Sequence, residues 1–464
     1  MYRQYIQGLI AAAACVALSA NLWAQAPNSA YFTDDFKYRH DLNPAFGNAQ
    51  SYVAVPALGS VNVKTMGNFG YQDVVRTNPL YPAQSSKKKT TFLNPYLSNP
   101  LDGFSSGWNK IGIQADIALL SAGFKAFGGY NTVELNSRTT ANLKLPYELL
   151  KFAVNTGNKN YNIGDISAGG QSFAELAFGH SRDIDSHWRV GAKFKLLFGI
   201  ADASLEMKNV KAHLTGNTWT ISGDAQAHMS MKGFSYKSET KDYEQGGSYR
   251  RVNDVDIDGA GLGGFGAAID LGGVYTLDEN WQFSAALLDL GFISWSNDMY
   301  ATNEEKTFTF TGFHDVGVHS GDSPLDDQAD SYSDQIADFY NLRDRGDRGG
   351  RTTGIGARLN LGASYALPMY NKLKFGLLSS TRFLGTHTWT EARLSADCAP
   401  LSWVDGNVNL AVNSYTTSFG WMLNFHPKGF NVFVGMDHLV GKCSNEMIPL
   451  SSNASLTAGF NVAW

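Results

Sequence analysis

The sequence predicts an all-β fold: a transmembrane antiparallel β-barrel of about 14 strands, in a range of about 12 to 16, with an N-terminal plug-like segment. Three observations carry that expectation. Apolar and polar residues alternate with period two along most of the chain. The last strand ends on an aromatic residue. The composition is rich in glycine and aromatics and poor in charge.

The 464 residues include 48 Gly and only 13 Pro, with 13% aromatic and 17% charged residues. Soluble domains usually carry about a quarter charged residues and about 7% glycine. Past the N-terminus no run of about 18 apolar residues occurs, so helical spans are not expected; barrel strands escape that test because only alternate residues face lipid. A net charge of −5 gives no reason to expect nucleic acid as a partner. Residues 1–24 read as a signal peptide, with Arg3 ahead of the apolar stretch Leu9–Ala20 and the small Ala24 before the cut. A lipoprotein anchor at Cys15 would shorten that apolar stretch to a few residues. The mature chain keeps Cys398 and Cys443, which the expected topology places at opposite ends of the barrel.

Alternation is clearest at Trp188, Val190, Ala192, Phe194, Leu196, Phe198 and Ile200, set against Arg189, Gly191, Lys193 and Lys195. It recurs at Ile111–Leu119, Ala357–Tyr365 and Phe419–Phe425. Each such stretch makes one apolar and one polar face. Soluble sandwiches also alternate. Three features favour the membrane: strands of about nine residues or more, Trp188, Trp281, Trp295, Trp421 and Trp464 near segment ends, and basic residues (Arg189, Lys193, Lys195, Arg358) suited to a wet lumen. At the end of the chain Ala458, Phe460, Val462 and Trp464 share a face. Phe460, Val462 and Trp464 resemble the terminal-strand signal that outer-membrane barrels present to their assembly machinery.

Short turns and longer polar loops set the topology, with the barrel at 109–464 and its first strand near Ile111. The long stretches 232–262, 296–353 and 438–453 then fall outside. Residues 25–108 form a plug or periplasmic segment. Local helices are expected at Tyr147–Val154, on the periplasmic side, and at Leu325–Leu342 in the longest outer loop.

Several motifs lack the context their chemistry needs. Gly259-Ala-Gly261-Leu-Gly263-Gly264 spells a dinucleotide fingerprint without a βαβ unit, and a glycine-rich strand start fits it better. Asp254, Asp256 and Asp258 open like a calcium loop, but Phe265 stands where the closing Glu belongs. No two histidines fall at metal-ligand spacing, and no Ser–His–acid set stands out. No catalytic residue, cofactor or metal is expected, and the chain does not read as an enzyme.

Residues 25–108 differ in kind. The run His40-Asp-Leu-Asn43-Pro44-Ala45-Phe46 is similar to the NPA motif near the mature N-terminus of the long-chain fatty-acid transporter superfamily. That superfamily also includes the barrel shuttle of the type IX secretion system. The stretches Arg189–Gly199, Leu287–Trp295 and Gly420–Pro427 resemble a large family of exported barrels that carries only a domain-of-unknown-function label. With the NPA region the resemblance spans nearly the whole mature chain. It implies an outer-membrane barrel whose N-terminal segment enters and closes the lumen, with Asn43, Pro44 and Ala45 as the plug motif. It also implies a kinked strand as a lateral exit, carried over here to Asp289 and Gly291. Asp289 shares a face with Leu287 and Ile293; either a bulge turns it inward or it lies near the interface.

Two functions remain open. One is passive transport of a small apolar or amphipathic molecule through the plugged barrel, which predicts an apolar-lined pocket under the plug. The other is a non-transporting scaffold or anchor for a secreted or surface protein, which predicts a sealed lumen. The expected partners are outer-membrane lipid, the barrel-assembly machinery, and a hydrophobic small molecule or a surface protein.

Overall fold

The computed structural model describes residues 26–54, 59–81, 89–94, 96–155, 159–215, 218–242, 247–259, 261–310, 342–439 and 452–464. The leader, Cys443 and nearly all of the helix expected at Leu325–Leu342 lie outside the described residues.

Fourteen antiparallel strands close into a barrel. The first, β1, comes in two pieces, Tyr52–Ala54 and Val61–Gly67. There follow β2 (Trp108–Ala126), β3 (Gly129–Pro146), β4 (Asn160–Asp183) and β5 (Trp188–Leu214). Next come β6 (Gly264–Thr276), β7 (Trp281–Trp295) and β8, again in two pieces, Arg351–Gly354 and Arg358–Leu367. The ring is completed by β9 (Tyr370–Arg382), β10 (Trp389–Leu401), β11 (Val404–Asn413), β12 (Thr417–Phe425), β13 (Gly429–Met436) and β14 (Ala454–Ala463). Closure falls on β1, which pairs on one side with β14 (Tyr52 with Ala463, Val63 with Leu456) and on the other with β2 (Tyr52 with Gly123, Val63 with Ala115).

The expected domain boundary therefore moves. The wall begins at Tyr52, not near Ile111, and the stretch 25–108 divides into a segment before the wall, a wall strand, and an outer loop. Shortness hid β1: it is seven residues at most before an interruption, and Asn62 and Lys64, the polar half of its alternation, alternate over too few residues to stand out. A second correction concerns Tyr147–Val154. It is a helix, but β3 climbs away from the Phe127–Gly128 turn, so the helix sits at the opposite rim from the short turns. Short turns mark the periplasmic side of bacterial barrels, so this helix is external.

β5 is 27 residues long because it serves two structures. Its first half pairs with β6 (Trp188 with Tyr275, Gly199 with Gly264), and its second half pairs with Trp219–Met231 (Ala201 with Met231). That second partner starts an external crown with Phe234–Asp242, Ser248–Ile257, Met299–Phe310 and Arg343–Asp347. Within the crown Asp254, Asp256 and Asp258 are exposed, and Asp256 pairs with Lys237 at 3.2 Å. Gly264 does open a strand, as the glycine run suggests.

Side chains sort by face. Phe194, Leu196, Phe283, Leu361, Leu377, Leu394, Leu410, Phe419 and Leu423 all point outward and are exposed on the isolated chain, which in a bilayer is contact with lipid. Inward positions of β8–β14 are Asn360, Ser380, Ser395, Asn407, Asn409, Asn424, Asn431 and Asn461, all buried. Trp188 and Trp281 stand at the periplasmic rim with Tyr275 and Tyr365, each pair at 4.8 Å between ring centroids. Trp464 is exposed at the end of β14, and Phe460 stacks on Phe430. Trp421 lies mid-strand on the outer face, and Trp295 does not belong to the girdle at all: it is 1% exposed and points into the lumen.

The topology is checked by labelling. In a background with Cys398 and Cys443 replaced by serine, Lys151→Cys is expected to react with a membrane-impermeant maleimide on intact cells. Lys428→Cys, in the turn after β12, is expected to react only after the outer membrane is opened. Labelling of Lys428→Cys on intact cells inverts the barrel.

Candidate functional site

The segment 26–51 lacks alternation because it lies in no sheet. It is rich in aromatics, and Tyr31, Phe32, Phe36, Tyr38 and Phe46 are all buried. Its bonds go to strands all round the ring. Asn43 Nδ2 donates to the carbonyls of Gly273 (β6) and Ala285 (β7), both at 3.3 Å. Asn360 (β8) donates to the Leu42 carbonyl at 2.9 Å, and Thr33 donates to Asp397 (β10) at 3.0 Å. Asn407 (β11) donates to the Ser29 carbonyl at 2.8 Å, and Tyr38 donates to Asn461 (β14) at 2.9 Å. A segment bonded to strands on opposite sides of a closed ring lies inside it.

The NPA motif has a built seat. Asn43 Oδ1 accepts the Ala45 N–H at 2.9 Å, closing a local turn, while Arg189 Nε donates to the Ala45 carbonyl at 2.7 Å. Beneath Pro44, Gly191 and Gly272 face each other in register across β5 and β6. A Cβ on Gly191 would run into the Pro44 carbonyl, and one on Gly272 into the Asn43 side chain. Two opposed glycines thus form the notch that lets the motif touch the wall. At the other end of the segment, the N–H groups of Asn28 and Ser29 donate to the Asp437 carboxylate at 3.1 and 2.7 Å. These are charge-assisted bonds, stronger than neutral ones.

Above the motif the lumen is layered. The first layer is His40, Asp41, Glu134 and Lys193. The Lys193 ammonium donates to Glu134 at 2.6 Å and also to Asp41, so it already occupies the centre of this acidic group. Burial alone would raise the Asp41 pKa, but Lys193 and His40 outweigh it and hold the carboxyl well below the usual carboxylate range.

The second layer gathers Asp116, Arg138, Glu175, Lys195, Asp270 and Asp289, all buried. Arg138 grips Asp289 through two bonds of 2.7 and 2.8 Å and reaches Glu175 at 3.1 Å. Lys195 donates to Asp289 at 2.6 Å and lies 2.8 Å from Asp270. Asp289 gets there through a bulge: the β6–β7 register slips between Ile269 and Leu271, and Asp289 takes a left-handed φ of 57°. Its N–H donates to Asp270 at 2.7 Å. Of the two placements open for Asp289, the inward bulge is the one adopted. Aspartate tolerates the left-handed region better than most residues, and the three cationic bonds hold it there.

Next outward comes an apolar layer of Phe173, Leu197, Ala268, Ile293, Trp295 and Ile355. It abuts a break in the wall. β7 pairs with β8 up to Leu288–Arg358 and again from Phe292–Gly354, so the three residues between on each strand leave the ladder. One bond, Ile355 N–H to the Gly291 carbonyl at 3.4 Å, spans the break. Gly291 thus sits at the break, next to the Asp289 bulge. The outer mouth is a cleft of about 40 Å³ between Lys64, Gln114, Arg382, His387, Trp389 and Tyr415. That holds a few waters and no larger ligand. The apolar pocket that transport predicts beneath the segment is not open among the described residues.

The polar faces read from sequence found Arg189, Lys193 and Lys195. Glu134, Arg138, Glu175, Asp270 and Asp437 were missed, although each occupies an inward position of its strand or of the turn that ends it. His426 was missed as well: it lies 3.5 Å from Asp405 and 3.8 Å from Asp35, residues too distant in the chain for any spacing rule.

The pattern of a family of unknown function, DUF5723, matches residues 44–437, from the NPA proline to the aspartate that caps the first turn. The chain belongs to this family. No curated protein matches the sequence. Among solved structures, a TodX deltaS2S3 mutant, a monoaromatic hydrocarbon channel, is 9% identical over 96% of both chains with a TM-score of 0.40. The Ralstonia pickettii toluene transporter TbuX is 9% identical over 91% of this chain and 90% of its own, also with a TM-score of 0.40. At these values, function has to be argued from the geometry of the DUF5723 chain itself.

Removing Asp289 leaves Arg138 and Lys195 short of their shared partner. Asp289→Ala is expected to lower stability by about 3–5 kcal/mol, the range for breaking a buried pair, read as a lower temperature for loss of heat-modifiable migration. Unchanged stability would mean the second layer is not dry. Asp41 has a folded pKa below its unfolded one, so its contribution is full above about pH 4 and fades as pH falls below that. Protection from hydrogen exchange in 26–51, corrected for the intrinsic pH dependence of amide exchange, is therefore expected to fall as pH drops from about 4 towards about 2, the range below the free Asp value. Asp41→Asn should show a smaller change.

Proposed function

We propose that this chain is an outer-membrane channel for small apolar or amphipathic molecules, held shut by residues 26–51 acting as a plug. The observation that supports it is the apolar layer lying against the wall break at Asp289–Gly291. A polar diffusion pore has no use for six buried apolar side chains across its lumen, whereas an apolar permeant leaving toward lipid needs such a surface. In this reading the break at Gly291 is the lateral outlet. Asn43, Pro44 and Ala45 are the latch, seated in the Gly191–Gly272 notch. The leader at 1–24 directs export, and Phe460, Val462 and Trp464 on the outer face of β14 address the assembly machinery.

The competing reading is a non-transporting anchor for a surface protein. The external crown and the closed lumen favour it. Reconstituted vesicles separate the two. Entry of a lipid-soluble aromatic probe, caged by cyclodextrin outside and read by fluorescence inside, is measured for the parent and three variants. Gly272→Val is expected to unseat the latch and raise entry several-fold, about what 1–2 kcal/mol of plug destabilisation supplies. Ile293→Asp and Gly291→Val, each in that opened background, are expected to bring it back down. If all variants keep heat-modifiable barrels and none alters entry, the channel reading is wrong and the anchor takes its place.

A further inference from the structure

At the periplasmic rim, Asp35 of the segment 26–51, Asp405 near the start of β11 and His426 in the turn after β12 converge, with their ligand atoms all within 4.8 Å of one another. His426 and Asp405 side chains are each only 5% exposed. His426 Nε2 is buried and makes no hydrogen bond. Its neighbours are the Asp405 carboxylate at 3.5 Å and the Asp35 carboxylate at 3.8 Å, too far for hydrogen bonds. A buried polar nitrogen without a partner is costly, and here it is aimed between two carboxylates.

We propose that Asp35, Asp405 and His426 bind a divalent transition cation of the zinc class, which clamps the lumenal segment to the barrel rim. Three lines support it. First, a tetrahedral ion with bonds of about 2.0–2.2 Å sets its ligand atoms about 3.4 Å apart, close to the separations seen around His426 Nε2. Second, the donors are one imidazole and two carboxylates, a set that suits zinc better than magnesium or calcium, which take more oxygen ligands. Third, the ligands are oriented from outside. Asn424 Nδ2 donates to Asp405 Oδ1 at 2.7 Å, the Asp35 N–H donates to Asp405 Oδ2 at 3.3 Å, and the His426 N–H donates to the Trp403 carbonyl at 2.8 Å.

The charges permit it. Lys37 is the nearby cation, fully buried, with its ammonium donating to Gln50 at 3.0 Å. It offsets one of the two carboxylates, and a divalent ion would leave the group at a net +1 beside the open rim. Asp35 is 41% exposed, so the fourth position opens to the periplasm and takes water. The other acidic group with a histidine, His40–Asp41–Glu134, is different: Lys193 already fills it.

The test uses the full-length barrel in detergent, stripped with a chelator, then titrated with Zn²⁺ by calorimetry with Mg²⁺ as control. One Zn²⁺ per chain is expected and no Mg²⁺ response, with His426→Gln and Asp35→Asn each weakening binding about tenfold or more. Zn²⁺ should also slow hydrogen exchange in 26–51 in the parent and not in Asp35→Asn. Heat-modifiable migration of both variants confirms that they are folded. Absence of Zn²⁺ binding, or binding that both variants retain, overturns the proposal. The site stands whether or not the barrel transports anything, so probe entry and Zn²⁺ binding fail separately.

Discussion

The structure hinges on a strand that the chain places near its start and uses at its end. β1 bridges β14 and β2, and without it the barrel would have two open edges exposed to lipid, which the hydrocarbon cannot satisfy. Because β1 begins at Tyr52, everything before it is tied to the periplasmic rim of the closing seam. The segment 26–51 has no wall partner left to pair with. Its buried aromatics and its many backbone groups find theirs inside the ring. The seat at Gly191 and Gly272 and the caps from Asp437 follow from that confinement. So does the alternation of asparagine and serine on the inner faces of β10–β14, which supply donors and acceptors to an irregular chain.

A closed lumen changes what a charge costs. Arg138 and Lys195 are almost fully buried, and desolvating them is repaid only if their geometry is good and their remaining donors are filled. The bulge at Asp289 is how the fold meets that condition. A regular strand would keep Asp289 on the face of Leu287 and leave both cations a carboxylate short. The left-handed residue moves it to the other face, and the same slip frees Leu290 and Gly291 from their partners on β8. Wall break and ion network are therefore one feature seen from two sides. Altering either alters the other, which is why a break in the wall and a charged layer are found at the same height.

Much of the fold was legible because a strand in lipid must alternate, and a long strand alternates for long. β5, β8 and β12 announce themselves at Trp188–Ile200, Ala357–Tyr365 and Phe419–Phe425, and the outer position of the Arg343–Asp347 region follows from loop length. β1 was not legible. It is short, interrupted, and carries Asn62 and Lys64 on its inner face, so it reads like the polar segment around it. The rim of Tyr147–Val154 was misread for a different reason: the short turns at Phe127–Gly128 and Ile184–His187 flank it one strand away on each side, so it lies at the rim opposite to them whether or not β1 is counted. The site was legible in part. Lys193 and Lys195 stood out as bases on a strand face, and Asp289 stood out as an acid on the wrong one. Their ionic partners lie 59 to 152 residues away, and no local pattern records such distances. Trp295 looked like an anchor at a strand end; the bulge at Asp289 reverses which residues of the strand face inward, so Trp295 enters the lumen and its indole donates to Thr353 at 2.8 Å.

The order of the layers bears on any route through the barrel. A solute moving straight from the outer cleft to the periplasm would cross the apolar layer, then the Arg138–Asp289 network, then the Lys193 group, then the segment 26–51. An apolar solute gains from the first and loses at the second, where it would displace paired charges without replacing their bonds. A polar solute meets the opposite order of costs, and the apolar layer excludes it first. Neither suits a straight path. The wall break joins the lumen at the boundary between the two layers, where an apolar molecule has passed the apolar layer and has not yet met the Arg138–Asp289 network. A lateral course from there into the bilayer crosses no ion pair and breaks one long hydrogen bond, between Ile355 and Gly291. On that course the segment 26–51 need not leave the barrel. It holds the ionic layers in place from below, through Asp41 and the seated Asn43, and so keeps the apolar layer above them closed; loosening that seat would let the layer open.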